Sequence, residues 1–106
     1  MDLAELKPDM LSEHVGSGFD VMDDSANVFT ITLTEIAGHI KTERNETFSL
    51  LFHGPLDRFM PQGIHRLKHA TLGELGLFLV PIAQDKDGFQ YESVFNHLIK
   101  INEQGA

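Results

Sequence analysis

The chain carries six histidines among 106 residues and no cysteine, and imidazole is a common ligand of zinc and other transition metals. His65 and His69 are four residues apart. On a helix they would be neighbours. On a strand they share a face but sit about 13 Å apart at about 3.3 Å per residue, too far for one ion. A shared ion would need His53, His39 or His97 from neighbouring strands, and no ligand spacing demands that, so no metal is assigned. Asp85-x-Asp87-Gly88 opens like a calcium loop but lacks the later oxygen ligands and the distal glutamate. Ser49 and Ser93 would need a nearby base and an oxyanion donor to act as nucleophiles. Neither sits in a glycine-flanked nucleophile elbow. Glu43 and Glu46 are expected in a charged, solvated loop, Lys41 to Glu46, where neither pKa has a reason to shift. The reading therefore points away from an enzyme, with no catalytic residue and no cofactor assigned. The alternative is a small-ligand-binding or enzymatic barrel whose mouth is lined by His53, His65, His69, Tyr91 and Glu92.

Positioning any of these side chains falls to strands. Leu72 to Phe95 organises the pattern: an apolar run, Leu75 to Ile82, then a turn at Asp85-Lys86-Asp87-Gly88, then a return with Phe89, Tyr91 and Phe95 on one face. Such a run reads as a strand buried on both faces, making Phe78 a core residue. Gly88 is expected to supply the positive φ of a hairpin turn. Phe29, Ile31 and Leu33 alternate with Thr30, Thr32 and Thr34, the signature of a half-buried strand. The apolar positions then change parity to Ile36 and Ile40, which calls for a bulge near Thr34–Glu35. Phe48, Leu50 and Phe52 mark another strand, Phe19 to Met22 a short one ended by the turn cluster 23–27, and Ile64 to His69 a polar edge strand. Met10, Leu11, His14 and Val15 fall on one face of a short helix from about Asp9, ended by Gly16. The expected fold is mainly β: an antiparallel small barrel or sandwich of about six or seven strands with a short N-terminal helix. It is a single domain over 1–106, with a helical segment 1–17, a β body 18–101 and a frayed tail 102–106.

Sixteen acidic against eight basic residues give a formal charge of −8. That balance repels phosphate backbones and anionic lipid surfaces, so neither nucleic acid nor membrane is expected as a partner. No apolar run reaches the roughly 20 residues of a bilayer span. The opening residues lack a signal peptide's basic and apolar regions. The chain is therefore expected to be cytoplasmic as synthesised, with incorporation into an assembled particle left open.

Four phrases resemble those of a family of uncharacterised small bacterial domains, a domain of unknown function. They are Phe48-Ser49-Leu50-Leu51-Phe52-His53-Gly54-Pro55, Met60 to His69, Leu72 to Pro81, and Gly88 to Asn96. The chain departs from the family pattern at Met60 and Ile64, where leucine and tyrosine are usual around the Pro61-Gln62-Gly63 turn. Members are often encoded near microcystin-dependent-type proteins with phage tail-collar domains, which implies a role around tail-like or surface-fibre assemblies. No activity or catalytic residue comes with the resemblance. The functional expectation is a non-catalytic structural or protein-interaction module that binds a protein partner or self-associates, using a surface of Phe59, Met60, Leu75, Leu77 and Leu79.

Overall fold

A computed structural model describes residues 5–23 and 28–98. The expected tail 102–106, most of the turn 23–27 and residues 99–101 lie outside the described residues. Among the described residues the architecture is one helix, α1 (Pro8–Ser12), followed by six strands: β1 (Gly18–Val21), β2 (Phe29–Lys41), β3 (Asn45–Gly54), β4 (Gly63–His69), β5 (Gly73–Asp85) and β6 (Gly88–Leu98). All pairings are antiparallel, and the single sheet returns on itself as a closed barrel in the order β1-β2-β3-β6-β5-β4.

Strict alternation turns one set of side chains into a common interior. Phe48, Leu50 and Phe52 point inward from β3, Leu75, Leu77 and Leu79 from β5, and Tyr91 and Phe95 from β6. Phe19 packs edge-on against Phe52 at 5.3 Å, and Phe48 stacks on Phe95 at 5.0 Å, both within the favourable range for aromatic pairs. The expected parity switch in β2 is present: Leu33 opposes Phe52 and Glu35 opposes Leu51, leaving Thr34 as the extra residue. A second register shift lies between Ala37 and Ile40, where Gly38 adopts φ +62°. Ile40 is consequently turned outward and exposed, contrary to its expected inward position.

Three expectations are corrected. β4 is no sheet edge: it pairs β5 on one side and β1 on the other, and His65, Leu67 and His69 all face inward. β5 is not buried on both faces. Leu75, Leu77 and Leu79 are interior, whereas Phe78 is 48% exposed and Ile82 46%. Gly88 does not take a positive φ. Glycine is required there for space, because a Cβ would lie 2.0 Å from the Gly54 carbonyl oxygen and 2.7 Å from His53.

The two ends are plugged differently. Residues 5–17 cover one end, with Leu6 and Leu11 buried and the Gly16 N–H donating to the Leu33 carbonyl at 2.7 Å. Gly16 takes φ +93°, the left-handed conformation expected of a residue ending a helical segment. The loop 55–62 covers the other end, where the buried Tyr91 hydroxyl accepts from the Met60 N–H at 3.0 Å. Beyond the core, the ends of β2 and β5 project with both faces largely exposed, and the molecule is 53 Å long but only 26 × 24 Å across.

The inward and outward neighbours Leu77 and Phe78 provide the check on this parity. Leu77→Ala should cost about 2–5 kcal/mol, and Phe78→Ala about 1 kcal/mol or less, in denaturant unfolding. Equal losses would contradict the assignment of faces.

Candidate functional site

The five polar residues expected at a barrel mouth are not brought together. His65 and His69 point inward from opposite ends of β4, and Tyr91 points inward from β6, while His53 and Glu92 alternate outward from β3 and β6. Period-two alternation separates them. Among the described residues no group of three or more histidine, aspartate or glutamate side chains could hold a metal ion.

Each of these histidines has a local task instead. His69 is 4% exposed; its Nδ1 accepts the N–H groups of Thr71 and Leu72 at 3.0 and 3.1 Å. An accepting Nδ1 places the proton on Nε2, which then donates to Ser17 Oγ at 2.9 Å, and that hydroxyl donates to the His14 carbonyl. This serine–histidine pair therefore runs in the wrong direction for catalysis: a base must accept the serine proton, and His69 has no free lone pair to do so. Burial, with the neighbouring His14 adding to it, holds the His69 pKa below its ordinary value of 6.5. The His14 ring packs edge-on at 4.8 Å, and Phe19 covers the other side at 4.5 Å.

His65 is held between acceptors, the Asp23 carboxylate at Nδ1 and the Pro61 carbonyl at Nε2, 2.7 Å away. Asp23 also accepts the Arg66 N–H at 2.8 Å. The network ties the end of β1 to the loop before β4. His53 lies 3.7 Å from Asp85, whose carboxylate caps the hairpin by accepting from the Asp87 and Gly88 N–H groups. Those N–H groups, Asp87 foremost, hold the Asp85 pKa below its ordinary value. Burial raises the Tyr91 phenol. Glu46, expected in a solvated loop, is instead buried on β3 and hydrogen-bonded to His39 at 2.7 Å, and that bond holds its carboxyl below the ordinary range. Only the bulged course of β2 brings the two together.

The expected apolar surface is also divided. Leu75, Leu77, Leu79 and Met60 are interior and present no outward face, whereas Phe59 is 55% exposed and packs on Phe89 at 5.1 Å.

A different opening is present in the wall. β5 and β6 pair from Asp85–Gly88 to Val80–Glu92 and no further. Past that point β6 continues with β3 to Asn45–Leu98, and β5 continues with β4 to His69–Gly73. The facing edges of 73–79 and 93–98 thus share no rung. A bulge between Pro81 and Ala83 lies just before the split, where bulges increase local twist. Between the parted strands lies a cleft of about 310 Å³. Leu77, Ser93, Phe95 and His97 line it from the inner row, Phe78 and Val94 from the outer. His97 lies 5.8 Å from both Phe48 and Phe95 and is anchored to the Leu6 carbonyl at 2.9 Å. Val94 (67% exposed) and Phe78, with Ile64 (75%) opposite Phe78 on β4, make the outer lip apolar. The clue in the sequence is Val94 itself, an aliphatic residue in the outward row Gln90, Glu92, Val94, Asn96.

Stability should fall with pH in a defined sense. A depressed histidine pKa means the unfolded chain binds a proton more readily, so His69 contributes fully above its ordinary value and progressively less as pH falls through it. Glu46 adds a second loss as pH falls through the ordinary carboxyl range near 4.5. Thermal unfolding of wild type between about pH 7 and 5 should show a declining midpoint, with a shallower slope in His69→Gln. An identical slope would remove His69 from the account.

The family model described as Domain of unknown function (DUF6916) matches residues 6–95. No curated protein and no solved structure matches the chain. No described helix is long and apolar enough to cross a membrane. The match spans both end plugs and nearly all of the β sheet, and on that extent the chain belongs to the DUF6916 family of domains of unknown function.

Proposed function

We propose that this protein is a non-catalytic interaction module whose binding surface is the parted seam between β5 and β6. The observation that carries the reading is the coincidence, at one place, of two strand edges sharing no rung and an apolar lip of Phe78, Val94 and Ile64. Apolar groups clustered at an opening in a sheet are a common feature of protein contacts. The proton placement at Ser17 and His69 supports a non-catalytic role for that pair. Tail-like or surface-fibre proteins are the first candidates for the partner, on the genomic association of similar domains.

The test is capture from extract of the source cell, with light scattering to read self-association. Wild type should retain a specific protein or self-associate, and Phe78→Ser/Val94→Ser should lose that behaviour while keeping its unfolding midpoint within a few degrees. A strict monomer that captures nothing, or a double variant that captures the same proteins, would count against the reading.

A further inference from the structure

We infer that the seam takes an extended segment of a partner protein as an added strand between β5 and β6, with small apolar residues facing inward and lysine or arginine at its flanks. This rests on the interaction reading and names the occupant.

The chemistry of the two walls selects a strand. Each wall is a backbone edge, and residues along a strand direct their N–H and C=O groups alternately to its two sides. Residues 75–79 bond β4 on one side and 93–98 bond β3 on one side, and among the described residues no ladder joins their other sides. A helix satisfies its own backbone and offers such edges nothing; an extended peptide offers both edges a ladder. Because β5 and β6 are antiparallel to each other, the added strand runs antiparallel to one and parallel to the other.

The walls also set the side chains. Leu77 and Phe95 are 1% and 6% exposed and already packed, and Phe95 is stacked on Phe48. With a cleft of about 310 Å³, inward positions of the guest hold small apolar groups, and large inward side chains would overpack the core. Outward positions lie beside Phe78 and Val94, which favours β-branched or aromatic residues through cross-strand contact. The net charge of −8 favours encounter with a cationic segment, and Glu92 stands at the closed end of the split, opposite Val80.

The probe is a fluorescent synthetic peptide of about nine residues, lysine at each end and alternating alanine and valine between, long enough at about 3.3 Å per residue to span the split. It is titrated into the full chain. Binding should weaken about tenfold or more when alternate amides are N-methylated in either of the two possible sets, since each set faces one edge. Amides of Leu75–Leu79 and Ser93–His97 should gain protection from hydrogen exchange when the peptide binds. Phe78→Ala and Val94→Ala should each weaken binding, and glutamate flanks should weaken it further. Binding indifferent to both N-methylated sets would show side-chain docking alone and overturn the strand assignment. Failure of every such peptide, while seam-dependent capture from extract persists, would overturn the strand and leave the interaction reading standing. A concentration-dependent dimer that the peptide does not displace and Val94→Ala dissolves would make a second copy the occupant and likewise overturn it. Loss of both peptide binding and capture would remove the two readings together.

Discussion

The unbroken ladder between β3 and β6 is the constraint from which the rest follows. It runs without a register shift from Gly54–Phe89 to Asn45–Leu98. Through it, every inward residue of one strand stands opposite an inward residue of the other: Phe48 with Phe95, Leu50 with Ser93, Phe52 with Tyr91. A slip of either strand by one residue would turn that strand's inward row to solvent. The ladder is closed at its tight end by Gly54 and Gly88, whose backbones approach too closely for any side chain at position 88. β2 follows β3 only by bulging twice, and β5 follows β6 only as far as Val80.

Polar groups in the interior serve this frame. His65 ties β1 to the loop before β4, His69 anchors Ser17 and the turn after β4, and Tyr91 holds the Met60 amide. A buried polar side chain is costly unless it is paired, and each of these makes its bonds to backbone or to a neighbour across the barrel. The histidines thus act as local tethers at the ends of the sheet, and among the described residues no three metal-ligating side chains converge.

Much of this fold was legible in residue order. The parity of Phe29–Leu33, the switch at Thr34, the even row of β3 and the Asp85–Gly88 turn each encode a local geometry that alternation alone reveals. Phe78 and β4 were misread for one reason: periodicity shows which residues are apolar but not how many layers cover them. A polar-looking strand such as Ile64–His69 can face inward when its histidines find partners distant in sequence, and Asp23 and Ser17 are such partners. Ile40 was misread because Gly38 adds a second bulge that no hydrophobic pattern announces. The seam was illegible in principle. It arises where two pairings stop, and a strand's own sequence does not record how far along it a neighbour stays.

The parted seam is open to direct measurement. Amide hydrogen exchange on the free protein reads it residue by residue. In Ser93–His97, alternate amides should be protected by β3 while those between them exchange rapidly, and Gln90–Glu92, flanked by strands on both sides, should show no such alternation. Uniformly slow exchange through Ser93–His97 would mean that β5 and β6 are paired along their whole length, and the binding surface would not exist.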